Sequence, residues 1–251
     1  MTHWRKRRMV KKAPHYNYNS RYLHHQSAAY LYGREIVFGM QDGMVSALSA
    51  ITGIAVGSHD HFIILLSGLA IISAGAISMA IGTFTSLSAQ KKMERQMIRE
   101  EETEILNNPW EEKKELEKHF INDGWNKFIA ESMALSAYYN KKVMLREMAY
   151  RELSIVPDKH PGVIKNSTAM FFAWLIGGSF PLFPYFFLSV ENGIIFSVII
   201  TLFGLFLLGI VTSFYTKENW LRAGLKILIF AGLAIIVGYV LGHLADIFIV
   251  H

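Results

Sequence analysis

Six acidic or sulfur-bearing side chains lie in the polar middle of the chain at spacings that suit a divalent cation. They are Glu101, Glu104, Glu112, Glu115, Met148 and Glu152. The first four form two pairs three residues apart, and the last two are four residues apart, so each pair would share one helix face. Carboxylate oxygens bind hard and borderline divalent ions, and a thioether sulfur favours softer transition metals. The same spacing also fits a solvated helix face on which Glu and Lys alternate, so both interpretations stay open at this point.

A single carboxylate, Asp42, interrupts an apolar stretch from Ile36 to Gly57. A charged group within a bilayer costs roughly 3 kcal/mol, so we expect Asp42 to face a cavity or a partner, as an ion ligand or a proton acceptor. The alternative is a position at the membrane interface, where it would reach headgroups or water. Ser46 follows on the same helix face and would extend a polar path. Met79, in the next apolar stretch, fits either a sulfur ligand or ordinary core packing.

Two histidines, His59 and His61, flank Asp60 between these two apolar stretches. They could hold a metal ion, although histidines in a short exposed turn are more often ordinary loop residues. The chain has no cysteine, which excludes disulfides, thiolate metal sites and cysteine nucleophiles. No nucleophile with a general base, cofactor loop or phosphate-binding glycine loop occurs in the sequence. We therefore expect a protein that is not an enzyme and that holds no prosthetic group.

Five apolar stretches are long enough to cross a bilayer, for which a helix needs roughly 20 apolar residues. They run from Ile36 to Gly57, within Phe62 to Gln90, from Ser167 to Val190, from Asn192 to Thr216 and from Ile227 to Ala245. Pro181 and Pro184 should bend or break the outer end of the third stretch. The predicted fold is all-α, a polytopic membrane protein with five transmembrane helices.

The basic residues all fall on one side of these five spans. Eight Lys and Arg precede span one, fourteen lie between spans two and three, and three lie between spans four and five. The positive-inside rule makes that side cytosolic, with the N-terminus, and places the C-terminus outside or in a lumen. The net charge of +5 therefore indicates topology and contact with membrane lipid rather than nucleic acid. The first 33 residues lack an apolar core, so no signal peptide is expected.

The polar segment between spans two and three is rich enough in helix formers to fold. Breaks at 107–109, 122–124 and Asn140 divide it, and Val156 and Pro157 should end its last helix. We expect three or four helices, the first a cytosolic extension of span two. The predicted organisation is a basic cytosolic tail (1–34), spans one and two (35–88), a cytosolic helical metal-binding module (89–165) and spans three to five (166–251).

Small residues recur every four positions along three spans, which lets helix backbones approach closely. They are Gly39, Gly43 and Ala47 in span one, Ala70, Ala74, Ser78, Gly82 and Ser86 in span two, and Ala234, Gly238 and Gly242 in span five. General packing within one bundle and a seam between two copies both fit this pattern.

Three motifs, in order along the chain, resemble those of the vacuolar iron transporter family. The residues from Ile36 to Ser46 follow the pattern apolar-Gly-x-x-Asp-Gly-apolar-x-Ser, those from Ala74 to Gly82 match the small-residue signature of span two, and those from Ile176 to Phe186 match the signature of span three. The resemblance extends from about residue 34 to residue 249, with the polar insert in the corresponding place.

The resemblance implies five spans per chain and a homodimer, with a transport path at the dimer interface lined by spans one and two. It implies exchange of cytosolic Fe²⁺ for protons and delivery of the metal to a vacuole or outside the cell, with Mn²⁺ and other divalent ions as further substrates. The corresponding membrane is the plasma membrane in a microbe and the vacuolar membrane in a eukaryote.

The resemblance also assigns residues. Asp42 and Met79 match the membrane aspartate and methionine of the family. The metal-binding residues of its cytosolic helices match Glu101, Glu104, Glu112, Glu115, Met148 and Glu152, which favours the metal-site interpretation of that spacing. Three departures occur, because Ile71 and Thr83 stand where other members have membrane glutamates, and Ala149 stands where the family has a second methionine.

Two functions therefore remain from the sequence. The first is a transporter that moves cytosolic Fe²⁺, and also Mn²⁺, out of the cytosol in exchange for protons. The second, motivated by Ile71 and Thr83, is a membrane-tethered cytosolic metal sensor or store without transport.

Overall fold

The computed structural model describes residues 28–155, 162–245 and 247, and these residues form helices and short turns without a strand. In chain order the helices are α1 (Ala28–Ser58), α2 (His61–Asn107), α3 (Pro109–Asn122), α4 (Lys127–Tyr138), α5 (Lys141–Arg151), α6 (Val163–Leu182), a 3-10 turn (Phe183–Phe186), α7 (Val190–Thr216) and α8 (Trp220–Ala245). The predicted lipid contacts of the basic tail, and the break at Val156 and Pro157, lie outside these residues.

Four of the described helices are long and apolar enough to cross a membrane, namely α2, α6 with its 3-10 turn, α7 and α8. The chain is therefore an integral membrane protein. Helix α1, the first of the five predicted spans, is not among the four. Gln41, Asp42 and several Gly and Ser residues lower its mean hydropathy, so its assignment as a span stays a prediction.

Proline chemistry sets the end of α6. The α-helical hydrogen bonding stops at Leu182, just after Pro181, and continues as a 3-10 turn that contains Pro184. Proline has no N–H to donate and its ring crowds the preceding turn. Ser197 of α7 donates a hydrogen bond of 2.7 Å to the carbonyl oxygen of Pro181, which satisfies a backbone acceptor at this end of the helix.

Helix α1 lies at the centre of the bundle and packs against α2, α6, α7 and α8. Its contact with α6 is so close that a methyl group placed on Gly43 would lie 2.6 Å from the carbonyl oxygen of Trp174. On another face, Ser49 donates a hydrogen bond of 2.8 Å to the carbonyl oxygen of Ala234 in α8. The small residues of α1 and α8 thus serve packing within one chain.

Helix α2 is an unbroken rod of 47 residues. At about 1.5 Å per residue it is about 70 Å long, whereas the hydrocarbon core of a bilayer is about 30 Å thick. The charged residues of this helix all lie in its second half, from Lys91 onward. That half must therefore project beyond the membrane. Helices α3 and α5 pack against this projecting half, and α4 packs against α3 and α5. We call the projecting half of α2 and these three helices the helical module.

The helical module has a hydrophobic core of its own. The core residues are Ile105, Leu116, Phe120, Ala130, Ala134, Ala137, Met144 and Met148. The breaks between its helices follow from local chemistry, because Pro109 occupies the first turn of α3 and the side chains of Asn126 and Asn140 cap α4 and α5. In this core, Ile105 of α2 packs with Leu116 and Phe120 of α3, so the two helices are held against each other.

Candidate functional site

Two buried glutamates lie where α2 faces α3. Glu101 is 3% exposed and Glu112 is 7% exposed. Oε1 of Glu101 has no hydrogen-bond partner among the described residues. A buried carboxylate oxygen without a partner is costly, so the fold maintains an arrangement that is unfavourable unless a proton or a cation is bound.

The charges around Glu101 are also negative. Burial, followed by the nearby carboxylates of Glu152, Glu112 and Glu104, raises the pKa of Glu101 to about 7. Burial also raises the pKa of Glu112, with further contributions from Glu115, Glu104 and Glu152. These mutual effects show that the structure brings together all five glutamates that the sequence predicted as metal ligands, from three separate helices.

The predicted sulfur ligand is placed differently from the carboxylates. Met148 is fully buried in the core of the helical module, together with Met144 and Phe120. Glu152 lies just after the last turn of α5 and is exposed. The two residues therefore do not present one common face to solvent.

One further residue near the carboxylates was not singled out from the sequence. The ligand atoms of Glu115, His119 and Glu152 all lie within 4.8 Å of one another. His119 is half-buried and follows Glu115 by one helical turn. The spacing of Glu115 and His119 was visible in the sequence, but the third member of the group comes from another helix.

Arg151 fixes the end of α5 beside the end of α3. Its guanidinium contacts the carboxylate of Asp123, lies 3.4 Å from Glu147 and stacks 4.4 Å from the ring centre of Phe120. Asp123 in turn closes α3, since its backbone N–H donates to the carbonyl oxygen of His119. Glu152 is consequently held next to the last turn of α3.

In the membrane part, Asp42 is half-buried and has two hydrogen bonds. Trp174 Nε1 of α6 donates to Oδ2 of Asp42 at 2.7 Å, and Ser46 Oγ donates to Oδ1 at 3.3 Å. Trp174 is itself 4% exposed, and its indole ring fills the space beside Gly75 of α2. Asp42 is therefore held by protein donors, and the tryptophan is a residue that the sequence did not reveal.

The other predicted path residues border this region. Met79 is half-buried and packs against the core that α1, α2 and α6 share. Ser46 also lines a mostly apolar groove of about 860 Å³ between α1 and α8. Ile71 packs against the same core as Met79, so it makes an apolar contact in this region.

The turn between α1 and α2 has a structural explanation. Asp60 caps α2 by accepting a hydrogen bond of 3.0 Å from the N–H of Ile63. His59 adopts a positive φ of 50°, which turns the chain between the two helices. His59 and His61 are both exposed. Their predicted role in metal binding stays a prediction.

Comparison with known proteins gives consistent matches over most of the chain. The sequence model of the VIT family matches residues 33–243. A protein of Tulipa gesneriana named vacuolar iron transporter 1 is 25% identical over 82% of this chain and 84% of its own length. The vacuolar iron transporter of Plasmodium berghei is 28% identical over 92% of this chain and 88% of its own length. Vacuolar iron transporter 1 of Arabidopsis thaliana is 25% identical over 77% of this chain and 78% of its own length.

Proposed function

The chain belongs to the VIT family, and we propose that it carries Fe²⁺, and also Mn²⁺, out of the cytosol in exchange for protons. Its relatives are named vacuolar iron transporters, which supports a divalent metal ion as the substrate. The observation that carries the proposal is the convergence of the carboxylates of Glu104, Glu112 and Glu152 on the buried Glu101, whose Oε1 has no hydrogen-bond partner among the described residues.

The carboxylate cluster suits the capture of a divalent cation. Two buried glutamates and three neighbours repel one another, and a divalent ion bound by carboxylate oxygens would relieve this repulsion. Because the pKa of Glu101 is raised to about 7, a metal ion would displace a proton there near neutral pH. Metal binding and proton release are then linked in the first step of transport.

Asp42 is the proposed ligand and proton acceptor inside the membrane. The donors Trp174 and Ser46 orient the carboxylate between α1 and α6. Met79 and Ser46 are the proposed further members of the path. The resemblance to the family implies membrane glutamates at two positions, which are Ile71 and Thr83 in this chain. Proton exchange in this protein would therefore depend on Asp42 and on the carboxylate cluster of the helical module.

We propose five spans, with α1 as the first, a cytosolic helical module and a homodimer. The distribution of basic residues supports this orientation. The small residues of α2 support the dimer, since Ala70, Ala74, Ser78 and Gly82 are exposed in the single chain whereas those of α1 and α8 are covered. A second copy of α2 could approach closely along this face.

A transport assay in liposomes tests the function. Purified protein is reconstituted, a pH gradient is imposed, and uptake of Fe²⁺, Mn²⁺ and Zn²⁺ is followed. We expect uptake that needs the gradient and that Asp42→Asn abolishes. Asp60→Asn is the matched control, because Asp60 is an exposed carboxylate that only caps α2.

Two results would contradict the proposal. Uptake by Asp42→Asn at the rate of the unmodified chain would exclude the assigned path. Metal binding by the protein without any flux would instead support the sensor or store that Ile71 and Thr83 suggest.

A further inference from the structure

The group formed by Glu115, His119 and Glu152 differs in chemistry from the rest of the cluster. Its three ligand atoms lie within 4.8 Å of one another, and one of them is an imidazole nitrogen. Metal–ligand bonds of about 2.0–2.2 Å place bound ligands slightly closer together than this. Rotation of the two exposed glutamate side chains would suffice to close the group around an ion.

A second observation comes from the buried side of the cluster. Glu101 is 3% exposed, its Oε1 has no hydrogen-bond partner among the described residues, and it shares a hydrogen bond with Glu152. Glu152 thus connects the buried carboxyl group of Glu101 to the exposed group. Carboxylates alone could be a solvated acidic surface, but Oε1 of Glu101 is buried and has no hydrogen-bond partner among the described residues.

The ends of α3 and α5 are held together where this group lies. Arg151 contacts Asp123 and Phe120, which follow His119 directly along α3. After Glu152 the chain reverses, because Ser154 has a positive φ of 55° and the buried Ile155 donates a 2.9 Å hydrogen bond to the carbonyl oxygen of Ala149. Both helix ends are therefore fixed before any ion binds, which lowers the cost of forming a site.

We propose that Glu115, His119 and Glu152 form a metal subsite at the exposed edge of the cluster, in which the imidazole of His119 binds the ion directly. This subsite rests on the proposed function, in which the cluster collects the transported cation, and it adds a determinant of selectivity. An imidazole ligand favours Fe²⁺, Co²⁺ and Zn²⁺, whereas Mn²⁺ is the weakest binder of the first-row divalent ions and suits oxygen ligands. The subsite would therefore select against Mn²⁺ at the entrance.

Metal binding to the full-length protein in detergent tests this subsite, with Co²⁺ as an air-stable substitute for Fe²⁺. Equilibrium dialysis gives the affinities for Co²⁺ and Mn²⁺, and proton NMR of the Co²⁺-loaded protein reports bound imidazole through its strongly shifted, exchangeable N–H signal. His119→Gln should weaken Co²⁺ binding at least about tenfold, the loss that even an outer-shell partner of a metal ligand can cause. Mn²⁺ binding should change much less, and one shifted N–H signal should disappear.

Two further variants make the result specific. His243→Gln removes an exposed histidine that stacks on Tyr239 in α8, and it should leave both affinities and the His119 signal unchanged. His119→Glu replaces the nitrogen ligand by a carboxylate, and it should bind Mn²⁺ at least as well as the unmodified protein while its preference for Co²⁺ declines.

An unchanged Co²⁺ affinity and an unchanged N–H signal in His119→Gln would overturn the subsite. An equal loss of Co²⁺ and Mn²⁺ binding would also overturn it, because it would mean that His119 supports the helix and does not bind the ion. These binding results are independent of flux. If the unmodified protein fails to transport metal while His119→Gln loses the signal, the proposed function fails and the subsite stands.

Discussion

At the scale of single residues, Glu101 is an acid whose surroundings favour its protonated form. Its pKa is raised to about 7, first by burial and then by Glu152, Glu112 and Glu104. The folded protein therefore holds this proton more tightly than the unfolded chain does. This proton contributes to the stability of the folded protein. The contribution is fully present below the pKa that Glu101 has in the unfolded chain, near 4.5, and it is lost as the pH rises through about 7.

We expect the metal-free helical module to unfold at a lower temperature at pH 8 than at pH 5, with a loss on the order of 3 kcal/mol. Glu101→Gln mimics the protonated side chain and should remove most of this pH dependence. Adding Mn²⁺ at pH 8 should restore stability in the unmodified protein, because the cation replaces the proton. Thermal unfolding of the purified protein from pH 5 to pH 8 in the presence of a chelator measures the pH dependence, and a second series at pH 8 with Mn²⁺ and no chelator measures the effect of the cation.

Glu102→Gln is the matched control for that experiment. Glu102 is exposed and is turned about 100° away from Glu101 around the same helix, so its removal should leave the pH dependence intact. If Glu101→Gln and Glu102→Gln behave alike, the burial of Glu101 does not govern the titration of the module.

Trp174 supports a second prediction at this scale. Trp174→Phe keeps the aromatic packing beside Gly75 but removes the Nε1 donor to Asp42. A hydrogen bond to a charged group contributes about 1.5–3 kcal/mol, so we expect transport to slow by roughly tenfold or more. Liposome uptake measures the rate, and Trp220→Phe is the control, since Trp220 is 53% exposed. A normal rate in Trp174→Phe would mean that Asp42 does not need this donor.

A site could be predicted from the sequence when its residues are close together along the chain, and not when they are far apart. The glutamate pairs stand three residues apart, so helix geometry alone places each pair on one face. The contact between Asp42 and Trp174 joins residues 132 positions apart and has no local signature. His119 shows the intermediate case, because its spacing to Glu115 was visible but Glu152 reaches it only through the packing of α5 on α3.

At the scale of helices, the crossing of α1 and α6 depends on glycine. A methyl group placed on Gly43 would lie 2.6 Å from the carbonyl oxygen of Trp174 and 2.9 Å from the N–H of Gly178. Both are backbone atoms that cannot rotate away, so Gly43→Ala should destabilise the bundle by about 1–3 kcal/mol. Thermal stability in detergent, followed by size-exclusion chromatography, measures this loss.

Gly232→Ala is the control for the glycine prediction. A methyl group there would meet no atom within 4 Å, and alanine is the better helix former, so stability should stay the same or rise slightly. Equal destabilisation by both substitutions would show that the α1–α6 crossing does not depend on close backbone contact.

Helix positions were predicted well where local chemistry sets them and less well where composition is mixed. Asn108-Pro109 and Asn140 each start a helix through proline geometry or capping, which a sequence displays directly. Helix α1 starts at Ala28, earlier than the apolar stretch that begins at Ile36. Its extra turns carry no apolar pattern, so hydropathy could not reveal them.

At the scale of the whole molecule, the orientation in the membrane is open to a direct test. The chain has no cysteine, so single cysteines can be introduced without a background. Asp60→Cys in the α1–α2 turn should react with a membrane-impermeant maleimide in intact cells or vesicles whose outer face is the non-cytosolic side. Glu131→Cys in α4 should react only after permeabilisation. The opposite pattern would reverse the orientation, and equal protection of both would contradict the assignment of α2 as a span, since these residues lie beyond its two ends.

The length of α2 has a consequence for how the two acidic sites influence each other. Gly75 lies against the indole that holds Asp42, whereas Glu101 lies on the same rod about 40 Å further along its axis, at about 1.5 Å per residue. The screening length in physiological salt is about 8 Å, so ions in solution would shield most of the field that one site exerts on the other. Metal binding to the carboxylate cluster of the helical module would then affect Asp42 through the arrival of the ion itself or through movement of α2. Direct electrostatic interaction between the two sites would contribute little.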